Sequence, residues 1–171
     1  MKAIDEVANQ YHRLVLLVAP AGGGKTAVLQ DVHKRKKVPL FNINLELSQH
    51  MLNLSQNERV LELPCFLEKK IADSASEVVL MDNIEILFDV SLGHDPLRLL
   101  QRLARNKTVV AAWNGKLETE EHGLRAELST PDSFLITYHP SIYLFYATPD
   151  HLEYRRYPVK DFWVVVIPTV A

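Results

Sequence analysis

The chain has 171 residues, 47% of them hydrophobic and 23% charged, with nineteen Lys and Arg against twenty-one Asp and Glu, for a net charge of −2. This composition excludes low-complexity disorder and a chain-wide electrostatic grip on nucleic acid; six glycines exclude a collagen-like repeat, and the lone Cys65 excludes a disulfide scaffold. No apolar run reaches the ~20 residues of a bilayer span and the start lacks the apolar core of a secretion signal, so a cytoplasmic protein of one domain over 1–171, with no membrane partner, is expected.

Leu14-Val15-Leu16-Leu17-Val18 is apolar without alternation, the pattern of a strand covered on both faces. Half of all the glycine follows in one tripeptide, Gly22-Gly23-Gly24. Ala27, Val28 and Val32 then recur at helical spacing, and Lys34-Arg35-Lys36-Lys37 closes that helix, where basic side chains offset the carbonyl end of the dipole and Pro39 stops the helix. A short strand is expected over 40–44. A helical region is expected over 46–74, broken near Pro64, since proline suits a first turn better than a helix interior.

Val78-Val79-Leu80-Met81 reads as a second buried strand ending at Asp82. Asp95 caps a helix that opens at Pro96, and Thr108 to Trp113 forms another strand ending at Asn114. The polar stretch 115–133 reads as a loop or insertion, and an irregular insertion is expected over about 116–141. Ile142 to Tyr146 is a further strand and Phe162 to Ile167 a last one. Strands separated by helices predict an α/β fold with a mostly parallel central sheet.

Residues 19–26 read Ala-Pro-Ala-Gly-Gly-Gly-Lys-Thr, a Walker A loop with alanine in place of the usual first glycine. Backbone N–H groups of Ala21, Gly22, Gly23, Gly24, Lys25, Thr26 and Ala27 are expected to wrap phosphate oxygens, at the N-terminus of the helix that follows. Lys25 supplies the charge for the terminal phosphates and Thr26 a hydroxyl for Mg2+, so ATP and magnesium are the expected ligands and a three-layer P-loop NTPase the expected fold. Asp82, at the C-terminal edge of a buried strand, is the Walker B acid and second magnesium ligand. Many hydrolysing P-loop proteins carry glutamate next; here it is Asn83, whose amide positions water but takes no proton. Glu85, on the same face as Asn83 if the strand continues, is the candidate base, and slow hydrolysis is expected.

Asn114 is a candidate γ-phosphate sensor, with a turn at Asn114-Gly115 as the competing reading. Asn42 and Asn44 are weaker candidates for a polar relay. Arg102, Arg105, Arg155 and Arg156 are candidate charge-stabilising arginines, acting in the same subunit or in trans; the competing reading is solvated salt-bridging faces.

Val79 to Phe88, Asp95 to Leu100, Thr108 to Gly115 and Tyr146 to Tyr157 together resemble the small P-loop protein of type 3 BREX phage-defence systems. The Trp113-Asn114-Gly115 and Glu153-Tyr154-Arg155-Arg156-Tyr157 segments carry that likeness. The resemblance implies an AAA-like core that binds ATP and acts in bacterial antiviral defence beside larger BREX partners; as a departure of this sequence, no helical lid domain is expected after the core. A nucleotide-dependent homo-oligomer with weak ATPase activity is the leading expectation. A non-hydrolysing nucleotide-binding or DNA-contacting module is second. A small-molecule kinase is third, because the acids of 115–133 would repel a phosphorylated acceptor.

Overall fold

Leu14–Ala19 forms β1, buried along its whole length. Its alternate residues feed two separate cores, as side chains two apart on a strand must. Leu14, Leu16 and Val18 pack with Ile43, Leu47, Leu63, Leu67 and Leu100, while Val15 and Leu17 pack with Ile4, Val7, Leu29 and Val38. Helices therefore cover both faces, which explains why the strand shows no polar alternation. These relationships come from a computed structural model, which describes residues 2–119, 135–136 and 142–167.

In chain order the elements are α1 (Lys2–Val7), β1, α2 (Lys25–Lys36), β2 (Leu40–Asn42), α3 (Ile43–His50), α4 (Gln56–Asp73), β3 (Val78–Asp82), two 3₁₀ turns (Glu85–Phe88 and Val90–Leu92), α5 (Pro96–Leu103), β4 (Thr108–Thr119), β5 (Leu135–Ile136), β6 (Ile142–Tyr146), β7 (Arg155–Pro158) and β8 (Trp163–Val166). The main sheet runs β2-β3-β4-β1-β8-β5. Its first five strands are parallel and β5 is antiparallel to β8. The expected mostly parallel α/β sheet with flanking helices is thus observed. Most of the insertion expected over 116–141, including Arg125, Glu120 and Glu121, lies outside the described residues.

Three expectations are corrected. The strand over 40–44 stops at Asn42, whose side chain accepts from Leu45 N at 3.1 Å and so starts α3 at Ile43. The helical region breaks at 51–55 rather than at Pro64. There Ser55 and Glu58 form a reciprocal capping box that opens α4. Pro64 is buried inside α4, where it has no N–H for the carbonyl four residues back, that of Val60. His94 Nε2 donates to that carbonyl at 2.6 Å, so the missing helical bond is replaced from a neighbouring segment.

The third correction concerns 115–119, which is strand and not loop. β4 passes beyond the parallel sheet and its last five residues pair with β6, antiparallel, from Gly115↔Tyr146 to Thr119↔Ile142. β6 then pairs with β7, a strand not anticipated from sequence. The alternation Lys116-Leu117-Glu118 is the signature of a strand with one face covered, and charge on its outer face made it resemble a loop. Gly115 is required at the departure point, because a Cβ there would overlap the Phe145 carbonyl. Trp113, Tyr146, Tyr157 and Phe88 pack at this junction, with Trp113 edge-on to the other three rings and Phe88 stacked on Tyr146. Tyr157 OH donates to Asp95 Oδ2 at 3.2 Å, while Asp95 Oδ1 caps α5 through Arg98 N at 2.8 Å.

Candidate nucleotide site

Parallel strands bring their carboxyl ends to one edge, and three of them build the cleft. Register pairs Ala19 of β1 with Asn114 of β4, and Asn42 of β2 with Asp82 of β3. Because β4 lies between β1 and β3, Asn114 stands between the glycine loop and the acid. The cleft, about 470 Å³, is lined by Ala21 to Ala27, Gln30, Asp82, Asn83, Glu85 and Asn114. All seven loop residues named from sequence are there, with both candidate acids and the candidate sensor.

The loop is shaped for a nest of amides. Gly22 and Gly24 have φ of 76° and 80°, the left-handed region that other residues adopt at a cost, and Gly24 is the residue from which α2 starts. Lys25 is only 7% exposed, and its Nζ donates to the Ala19 and Pro20 carbonyls at 3.0 and 2.8 Å. An ammonium has three donors, so one remains for an anion in the cleft. Burial lowers the Lys25 pKa from its ordinary 10.5, while Glu85 and Asp82 act in the opposite direction.

Asp82 is 6% exposed, and its Oδ1 accepts from Asn83 N at 3.0 Å. Asn83 itself adopts φ of 52°, and its carbonyl accepts from Asn44 N at 2.9 Å. The chain therefore turns immediately after Asp82, correcting the expectation that the strand continues through Glu85. Glu85 instead opens a 3₁₀ turn, and its Oε1 accepts a hydrogen bond from Asn114 Nδ2. Asn114 is likewise not in a turn; it lies inside β4.

Gln30 was missed from sequence. It stands four residues after Thr26 on α2, so helical spacing was the available signal. Asn42 caps α3 and does not line the cleft. None of the four candidate arginines lines it either. Arg102 pairs with Glu68 at 2.5 Å, and Arg105 lies over the Tyr11 ring at 5.8 Å. Both are at the opposite edge of the sheet, where α5 leads into β4. Arg155 Nη1 donates to the Tyr154 carbonyl at 2.8 Å, and Arg156 stacks on Tyr143 at 3.8 Å.

The donor set fits a polyphosphate and a hard divalent cation. The loop offers amides and an ammonium to an anion. The exposed Thr26 hydroxyl and the Asp82 carboxylate are oxygen ligands of the kind magnesium takes, few in number because phosphates and waters complete its shell.

The sequence matches no family model and no curated protein. Among solved structures, it is similar to AMPPCP-bound DnaA from Aquifex aeolicus, at 16% identity and a TM-score of 0.36, covering 66% of this chain and 35% of that one. It is also similar to C. elegans PCH-2, at 21% identity and a TM-score of 0.38, covering 74% of this chain and 35% of that one. The chain thus spans about a third of the length of each.

Proposed function

We propose that this chain binds ATP with Mg2+ and hydrolyses it slowly, as a switch that self-associates when nucleotide is bound. The carrying observation is the convergence of Lys25, Thr26, Asp82, Glu85 and Asn114, from a helix start, two strands and a 3₁₀ turn, on one glycine-lined cleft. Magnesium, held through Thr26 and Asp82, would offset charge on the terminal phosphates. Lys25 adds a fixed cation from the loop itself. Glu85 is the group able to accept the proton of an attacking water as its oxygen bonds to the γ-phosphorus and ADP leaves. Asn114 already bonds that carboxylate and holds it in place, while Asn83, where glutamate is common, takes no proton; slow turnover follows from the second.

Self-association is supported by the exposure of Thr26, Ala27 and Gln30 on the cleft rim, and by the absence of an arginine among its described lining residues. A neighbouring subunit would supply the guanidinium that γ-phosphate transfer uses. The antiviral role beside BREX partners follows only from the family resemblance. A second reading, nucleotide binding without hydrolysis, is favoured by Asn83 in the place where glutamate is common. ATP binding, phosphate release and mass in solution, measured for the unaltered chain and Lys25→Ala, test the proposal. The expected result is ATP-dependent mass increase and phosphate release that Lys25→Ala abolishes. An ATP-saturated monomer sinks the switch, and tight binding with no phosphate release selects the second reading.

A further inference from the structure

The four consecutive cations Lys34 to Lys37, three ending α2 and one just after it, are not equivalent. Arg35 pairs with Asp31 at 2.8 Å and Lys36 with Asp5 at 3.1 Å. Lys34 and Lys37 have no acidic partner among the described residues, and both line a groove of about 540 Å³ whose far wall is Ser74 to Ser76. Lys107 reaches that wall, donating to the carbonyls of Ala72 and Ser74. Lys37 is also the residue after α2, at φ of 54°. Glycine is the usual occupant of that left-handed position, and a lysine there carries backbone strain that packing does not explain, since its side chain is exposed.

Past Pro39 and Ser74 the groove opens into a second, of about 690 Å³, along the outer side of edge strand β2. Lys69, also without an acidic partner among the described residues, lines it together with the rings of Phe41, Phe66 and His50. His50 stacks on Phe66 at 4.1 Å and leaves its other face exposed. Glu62 and Asp73 are the acids on these walls, and Glu62 is engaged with His50 at 3.7 Å.

Unpaired lysines spaced along a groove, followed by a partly exposed aromatic stack, suit an alternation of phosphates and flat bases. We propose that this groove binds single-stranded nucleic acid, with Lys34, Lys37 and Lys69 on its phosphates and a base against His50. It lies at the edge where α2 and α4 end, opposite the glycine loop, so it does not compete with the nucleotide cleft and stands or falls apart from that reading.

The test is fluorescence anisotropy of the full chain with labelled oligodeoxyuridylate and oligouridylate of about 20 nucleotides, alongside a duplex of the same length. Either single strand should bind better than the duplex, and their ranking names the preferred sugar. Three phosphate contacts predict a salt exponent of about −2, so affinity should fall about twentyfold between roughly 50 and 200 mM salt. Lys34→Ala/Lys37→Ala/Lys69→Ala should lose at least tenfold with an unchanged circular dichroism spectrum. Lys37→Gly should weaken binding while keeping or raising the melting temperature, whereas a residue kept only for structure would show the opposite. Lys25→Ala should bind as the unaltered chain does. No binding at low salt, binding untouched by the triple variant, or equal affinity for duplex each overturns the proposal.

Discussion

Asn114 and Glu85, 29 residues apart, share a hydrogen bond across the mouth of the candidate nucleotide site. β4 brings the amide and the turn after β3 brings the carboxylate, so the pair reports that both segments are correctly placed. If Glu85 is the base, Glu85→Gln should lower phosphate release by about 10²–10⁴ while leaving the ATP dissociation constant within a factor of two or three. Asn114→Ala should also slow turnover. The double variant should be no slower than Glu85→Gln alone, because the amide acts through the carboxylate. Rates that multiply would separate the two residues, and an unchanged Glu85→Gln rate would remove Glu85 from the role.

Lys25 gives a pH dependence with a definite sign. Burial lowers its pKa, so the folded chain releases this proton at lower pH than the unfolded chain does. Between the lowered value and 10.5 the unfolded state holds more protons, and this group's contribution to stability rises with pH across that window. Affinity for ATP should move the other way, weakening as pH climbs through the same window and the ammonium is lost. Titrating the dissociation constant against pH checks this. Lys25→Arg should bind less well throughout but show a flatter profile, since a guanidinium stays protonated.

His94 and Pro64 form a compensating pair. Removing the imidazole in His94→Ala leaves the Val60 carbonyl without its partner, at about 1–2 kcal/mol, or a fall of roughly 2–8 °C in melting temperature. In a Pro64→Ala background the new N–H can take that carbonyl within the helix. The His94→Ala penalty should then shrink by more than half. Equal penalties in the two backgrounds would show that the Val60 contact is incidental.

Gly115→Ala tests the junction of the two sheets. A methyl group directed into the Phe145 carbonyl forces β4 and β6 apart, at a cost of about 1–3 kcal/mol or more. The near-ultraviolet dichroism of the Trp113, Tyr146 and Tyr157 cluster should change with it. An unperturbed spectrum and melting temperature would mean that β6 is not held where described.

The glycine loop, Asp82 and the buried strands were legible because each depends on local rules. Left-handed backbone needs glycine, a doubly covered strand needs unbroken apolar residues, and an acid at the end of such a strand reaches the sheet's carboxyl edge. Asp95 as a cap and Pro96 in the first turn followed equally local logic. The segments behind the family resemblance proved to be largely packing: Trp113, Tyr146 and Tyr157 share one aromatic cluster, and Arg155 and Arg156 lie on β7 away from the cleft.

What local rules could not decide was everything set by partners distant in the chain. Pro64 reads as a helix breaker until His94 is seen to satisfy the carbonyl it abandons. Lys116 to Thr119 reads as loop until β6 is seen to pair along its edge. Glu85 reaches the cleft through a turn, where extension of the strand had been expected, and Asn114 meets it only because β4 inserts between β1 and β3. Composition and short-range geometry determined the glycine loop this chain makes; strand order, a long-range property, decided which side chains stand around it.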